Sequence, residues 1–311
     1  MIVHLDIDCL PQFKNAVITI GTFDGVHTGH LRIIRQLKEE AKKINGETVI
    51  ITFDPHPRLV ITSGKSEIKL LNTLSEKIEL LRHQQVDHLV VVPFTKVFSE
   101  QTAEAYISDF LVEKFRPHTV IIGYDHHFGN GRKGNYKLLE AHATEFNYHV
   151  KEIPEHVLNQ VTISSTKIRE ALLHADPATA NQYLGYDYFF EGQVVEGNKL
   201  GRTLGYPTAN LELSDKNKLI PANGIYAVQL SFGNGELMKG MMSIGVRPTI
   251  GHSERTIEVN IFDFDNDIYG QTIRVYIKKY LREELKFPDL ETLKSAIAED
   301  KINALEVLSS L

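Results

Sequence analysis

Two histidines three residues apart, His27 and His30, close a glycine-rich stretch, Gly21-Thr22-Phe23-Asp24-Gly25-Val26-His27-Thr28-Gly29-His30. An apolar run, Ala16–Ile20, precedes it. From Leu31 onward Ile34, Leu37, Ala41 and Ile44 recur on one helical stripe. A run apolar on both faces reads as a buried parallel strand. The stretch is therefore a strand-to-helix turn, and its glycines permit a tight one. A spacing of three at a helix start puts both imidazoles near one face. Helix N-termini offer free N–H groups and a positive dipole end to phosphate, so two imidazoles there would stabilise charge on a reacting phosphate. Taken alone, the same residues are a glycine turn with two surface histidines, and the decision falls to the other motifs.

A second pattern of the same kind lies far downstream. Thr208 and Asn210 of Pro207-Thr208-Ala209-Asn210 are two apart, so on a strand they share one face. Hydroxyl and amide oxygens are hard ligands, suited to Mg²⁺ and ATP phosphates. The preceding loop carries Gly197, Lys199, Gly201 and Arg202, which offer backbone N–H groups and positive charge to phosphate. It is not a Walker A loop, because no Gly-Lys-Ser/Thr follows. Glu258 sits in a further strand-like run; taken alone, a glutamate there is a solvent-facing strand residue.

Three other patterns carry less. Gly129-Asn130-Gly131-Arg132-Lys133-Gly134 matches G-x-G-x-x-G but follows no strand directly, and reads as a flexible loop near the nucleotide. Asp125, His126 and His127 have no further metal ligands beside them. Asp263–Asp267 fails as a calcium loop, since Ile268 and Arg274 stand where glycine and glutamate are required.

Residues 1–155 alternate strands (16–20, 47–53, 88–92, 118–122, 148–153) with helices (30–44, 73–85, 102–115, 135–146). Thr73 and Glu76 form a capping box. Alternation of this kind predicts an α/β, Rossmann-like parallel sheet with helices on both faces. The loops at 21–30, 53–57 and 123–134 should then open at its carboxyl edge. Ser164-Ser165-Thr166 begins another helix, and a short one covers 177–183. From Tyr188 the pattern changes to six short strand-like runs split by glycine turns, with Gly233-Asn234-Gly235 as a hairpin. They predict a small antiparallel β-barrel, followed by one helix from about Asp289. The domains are 1–184 and 185–311.

The chain has 311 residues, 42% of them hydrophobic and 24% charged, and a net charge of −6. That composition is globular, and it argues against a nucleic-acid or anionic-membrane partner. One cysteine, Cys9, gives no disulfide framework. No apolar run approaches the roughly 18 residues of a membrane span, and no signal peptide is evident, so the cytoplasm is the default compartment.

With four motifs in order, the chain resembles the bacterial bifunctional FAD synthetases. These are the H-x-G-H stretch, Phe53-Asp54-Pro55-His56-Pro57, Gly123–Gly129 and Ile163-Ser164-Ser165-Thr166-Lys167-Ile168-Arg169. Downstream, P-T-A-N, the run around Glu258, Ile244–Thr249 and Tyr280–Phe287 are similar to riboflavin-kinase motifs. The resemblance implies a bifunctional enzyme with ATP as co-substrate and Mg²⁺ as cofactor. Riboflavin would become FMN in residues 185–311, and FMN would become FAD in residues 1–184.

In the adenylyltransferase the resemblance assigns Gly21, Phe23, Asp24, His27, His30, Asp125, Ser164, Ser165, Thr166 and Arg169 to ATP, with His27 and His30 catalytic. It assigns Asp54 and His56 to the flavin phosphate. In the kinase it assigns Gly197, Lys199, Gly201, Arg202, Thr208 and Asn210 to ATP, with Thr208 and Asn210 also holding Mg²⁺ and Glu258 as catalytic base. Arg247 and Arg282 fall at the flavin, with Arg282 in a mobile loop. His127 departs from the family pattern. A single active module and a flavin-binding regulator are the alternatives. An RNA-directed enzyme is disfavoured by the acidic charge. Oligomeric state is left open.

Overall fold

A computed structural model describes residues 1–62, 68–124, 126–153, 163–197, 200–233, 235–249 and 252–309. The chain divides into two compact units, Met1–Ser165 and Thr166–Leu311.

The first unit is built on a six-stranded parallel sheet. Its strands are β1 (Ile2–His4), β2 (Val17–Ile20), β3 (Thr48–Asp54), β4 (His88–Pro93), β5 (Thr119–Gly123) and β6 (His149–Ile153). Their spatial order is β1-β4-β3-β2-β5-β6. All four residues of β2 are buried, as a central parallel strand requires. Alternate residues feed two cores. Ile18, Ile51 and Val90 pack with Phe110, Phe115 and Leu139 on one face. Val17, Ile50 and Leu89 pack with Ile34, Leu37 and Leu81 on the other. Each such side chain contributes about 1.5–3 kcal/mol through burial.

The expected strands and long helices are present, with ends shifted by a few residues. The sequence reading missed β1, and it missed the short helices Pro57–Ile61, Lys96–Ser99 and Leu200–Thr203. The helical stretch expected at 102–115 contains a π-helical segment, Tyr106–Val112. Thr73 caps the Leu74–Arg82 helix with both arms of the box formed.

The second unit is a closed antiparallel barrel. Its strands are β7 (Phe189–Val195), β8 (Ala209–Glu212), β9 (Gly224–Phe232), β10 (Met238–Thr249), β11 (His252–Ile261) and β12 (Thr272–Arg282), in the order β10-β11-β8-β7-β12-β9. β9 and β10 pair as expected; Asn234 of their predicted turn lies outside the described residues. β10 and β11 run further than predicted, pairing from Gly240 with Ile261 out to Thr249 with His252. The closing helix, Leu290–Ser309, lays Ala304 and Leu308 against Ala227, Met241 and Phe262.

Candidate functional site

β2 lies between β3 and β5, and the chain builds outward from it in both directions. It is the point where strand order reverses, and open parallel sheets bind ligands beyond the carboxyl edge at such a point. The loops after β2, β3 and β5 leave at this edge, as the sequence reading requires.

His27 is the N-cap of the Thr28–Lys43 helix, and its Nδ1 accepts the His30 backbone N–H at 3.4 Å. With Nδ1 accepting, a neutral His27 carries its proton on Nε2. The His27 and His30 rings stack with centroids 3.7 Å apart and planes 15° apart. Glycine at 29 permits this, because a Cβ there would stand 3.1 Å from the His27 ring. Phe23 is buried with its ring 4.9 Å from that of His30. His30 Nδ1 is buried with no hydrogen-bond partner among the described residues. Desolvation first, then the nearby His27 and Lys77, hold the His30 imidazolium well below the usual histidine range.

The other predicted residues of this unit divide by what they touch. The Gly21 N–H donates to the Ile51 carbonyl, 3.0 Å, and so ties the turn to β3. Asp24 is buried, and its Oδ1 accepts the N–H groups of Leu71 and Asn72 at 2.9 and 3.2 Å. It faces inward and fixes the returning chain. Asp54 is exposed at the end of β3. His56 caps the Pro57–Ile61 helix, accepting the Arg58 N–H through Nδ1. The Ser165 hydroxyl donates to the Asp24 carbonyl, 2.9 Å, which ties Ser165 to the histidine turn. Ser164 directly precedes Ser165. Thr166 and Arg169 belong to the second unit. Asp125 lies outside the described residues.

The Gly129–Gly134 stretch is a closed turn, with Phe128 and Gly134 exchanging both backbone hydrogen bonds at 2.9 and 3.1 Å. Lys77 was not anticipated. It is buried on the Leu74–Arg82 helix and reaches the Thr52 hydroxyl.

A second site lies within the barrel unit, around a cavity of ≈ 700 Å³. Glu258 of β11 pairs with Asn210 of β8, and the Thr208 hydroxyl donates to Glu258 Oε2 at 3.2 Å. Ala209 between them is buried, so strand alternation turns Thr208 and Asn210 to the cavity together. All three line it. Gly197 presses against Asn210: a Cβ would stand 2.0 Å from the amide nitrogen. Gly201 also lines the cavity. Arg202 is exposed on the Leu200–Thr203 turn and is not part of the lining. Lys199 lies outside the described residues, and Arg247 is described only as a backbone position of β10 opposite Glu254.

Arg282 is the last residue of β12 rather than part of a loop. Its guanidinium grips Asp300 of the closing helix with two hydrogen bonds, Nε–Oδ1 2.8 Å and Nη2–Oδ2 2.6 Å. Asn260, also unanticipated, holds the Pro207 carbonyl at 2.7 Å and so sets the register of Thr208.

The family described as FAD synthetase matches residues 10–167, and the family described as riboflavin kinase matches residues 184–308. Among curated relatives, a bifunctional riboflavin kinase/FMN adenylyltransferase of Haemophilus influenzae is 38% identical over 287 residues, covering 92% of each chain. The protein of the same description from Escherichia coli K12 is 37% identical over 297 residues, covering 95% of this chain and 93% of its own. A crystal structure from Streptococcus pneumoniae, described as a macrolide-efflux protein, superposes with a TM-score of 0.85 at 30% identity, over 96% of this chain and 97% of that one. In this chain no helix among the described residues is long and apolar enough to cross a membrane.

Proposed function

Because the chain belongs to the bifunctional riboflavin kinase/FMN adenylyltransferase family, we propose that its two reactions are divided between the two sites just described. The functional boundary is placed at residues 184 and 185. In the barrel, the 5′-hydroxyl oxygen of riboflavin attacks the γ-phosphorus of ATP. The bond from that phosphorus to the β,γ-bridging oxygen breaks, and ADP leaves. Glu258 takes the hydroxyl proton, which is general-base catalysis of the kind worth about 10²–10⁴-fold. The approach of Thr208 to Glu258 supports this reading.

Thr208 and Asn210 offer hard oxygens at the same place. No group of three or more His, Cys, Asp or Glu side chains suited to a metal occurs among the described residues. This donor set fits Mg²⁺, which is bound largely through substrate phosphates and water. When bound, Mg²⁺ neutralises charge on the transferring phosphoryl group. Gly197 and Gly201 let the loop backbone pack directly against Asn210 and the Tyr206 carbonyl, with Lys199 and Arg202 supplying charge to phosphate. Arg247 and Arg282 bound the flavin side.

In the parallel-sheet unit, a phosphate oxygen of FMN attacks the α-phosphorus of a second ATP. The bond to the bridging oxygen of the leaving pyrophosphate breaks. His27 donates through Nε2 to a non-bridging α-phosphate oxygen. His30, stacked against it and neutral at ordinary pH, lies on the same side. Catalysis of this kind is positioning and charge stabilisation. Gly21, Phe23 and Asp24 shape the turn around the nucleotide, and Asp125 is assigned to the adenosine. Ser164, Ser165, Thr166 and Arg169 are assigned to the leaving phosphates, with Asp54 and His56 toward FMN. The single observation that carries this reading is the stacked His27–His30 pair at a helix N-terminus beyond the central strand.

The test supplies riboflavin, ATP and Mg²⁺ to the full chain and separates the flavins by chromatography. FMN and FAD should both accumulate, and chelation should stop both. Absence of FMN sinks the kinase assignment. Absence of FAD when FMN is supplied directly sinks the adenylylation assignment.

A further inference from the structure

Lys77 occupies the first turn of the Leu74–Arg82 helix and is 5% exposed. A buried ammonium is costly unless its three N–H donors find partners. Among the described residues this one makes a single long hydrogen bond, Nζ to Thr52 Oγ1 at 3.4 Å. The Thr52 hydroxyl in turn donates to the Thr22 carbonyl at 3.1 Å. Thr22 is the second residue of the turn that ends in His27 and His30. Glu76, the neighbouring carboxylate, is committed to capping the helix at Thr73 and lends Lys77 no hydrogen bond.

We propose that Lys77 is a positioning residue of the adenylylation site: through Thr52 it fixes the Thr22 carbonyl, and with it the histidine turn, and its charge faces His30 and the reacting phosphate. The proposal rests on the adenylylation reading given above. Two further observations agree with it. Burial pulls the Lys77 ammonium below the usual lysine range, opposed by the carboxylates of Asp24 and Asp54. The Lys77 charge is also one of the causes that depress His30, after desolvation and His27. A poorly satisfied, buried cation beside site residues is a familiar mark of function over stability.

The test compares the intact chain with Lys77→Met and Lys77→Arg, each assayed for FAD formation from FMN, for FMN formation from riboflavin, and for thermal unfolding. Lys77→Met should lower kcat for FAD formation at least tenfold and leave riboflavin phosphorylation within twofold. Its Tm should be unchanged or higher, because the costly buried charge is gone. The acid limb of its adenylylation pH profile should move to higher pH, since one cause of the His30 depression is removed; Lys77→Arg should keep the original limb. FAD formation by Lys77→Met within twofold of the unsubstituted chain overturns the proposal. So does a loss accompanied by a fall in Tm with no movement of the acid limb, which would make Lys77 a structural residue. If the unsubstituted chain forms no FAD from FMN, the adenylylation reading fails first, and this proposal with it.

Discussion

Substituting Arg282 by alanine tests whether the barrel depends on its link to the closing helix. Arg282 and Asp300 share two short hydrogen bonds, and their side chains are 24% and 6% exposed. Removal of the guanidinium leaves the Asp300 carboxylate buried and unpaired. Breaking a buried ion pair from one side costs about 3–5 kcal/mol. The partial exposure of Arg282 puts the loss at the lower end, about 3 kcal/mol. Each kcal/mol lowers Tm by about 2–4 °C in a domain of this size, so the barrel transition should fall by roughly 6–12 °C. The chain has no tryptophan, so scanning calorimetry of the intact protein is the suitable assay. FAD formation from added FMN serves as a marker that the parallel-sheet unit survives. A double change, Arg282→Met with Asp300→Leu, should recover most of the loss, because apolar replacement of a whole buried pair is often neutral. A Tm change under about 2 °C for Arg282→Ala, or a double variant no better than the single one, would refute the reasoning.

Glu258→Gln should lower FMN formation by about 10²–10⁴-fold with FAD formation from FMN unchanged, measured by separating the flavins. Loss of both activities in a folded variant would show that the sites are not independent. Gly29→Ala should cut adenylylation several-fold with little change in Tm, since alanine favours the helix while its Cβ pushes the His27 ring off the His30 N–H; parallel kinetics and melts decide it. His30 is depressed in the folded state, so below its ordinary range the unfolded chain binds the extra proton. Stability of the parallel-sheet unit should therefore rise with pH up to about 6.5 and then level off, and His30→Gln should flatten that slope in calorimetric scans.

The sequence revealed most where local chemistry sets the structure. β2, β3, β4 and β5 are legible because a strand covered on both faces must be apolar throughout. The capping box at Thr73 is a local device and survives intact. The outer ends of β10 and β11 were missed because polar residues such as Arg247, Ser253 and Glu254 dilute the alternation there, while backbone pairing continues. β1 is only three residues long at a sheet edge, and Ile2 is 59% exposed. The histidine turn and the Thr208–Asn210 pair are contiguous, so their spacing encodes their geometry. Lys77, Asn260 and Asp300 are not. Each acquires its surroundings from a residue 18 or more positions away. Asp24 shows the converse, a motif residue whose carboxylate the fold turns inward to Leu71 and Asn72.

The seam of the barrel has a consequence for synthesis. Its first strand, β7, pairs with its last, β12, so the ring cannot close until Arg282 has left the ribosome. The parallel sheet is complete once Ile153 has emerged. At about 5–20 residues per second the second event trails the first by roughly 6–26 s. During that interval the nascent chain carries a finished adenylylation sheet ahead of barrel strands with open, unpaired edges. That interval is the stage at which this chain is most exposed to misassociation with its neighbours.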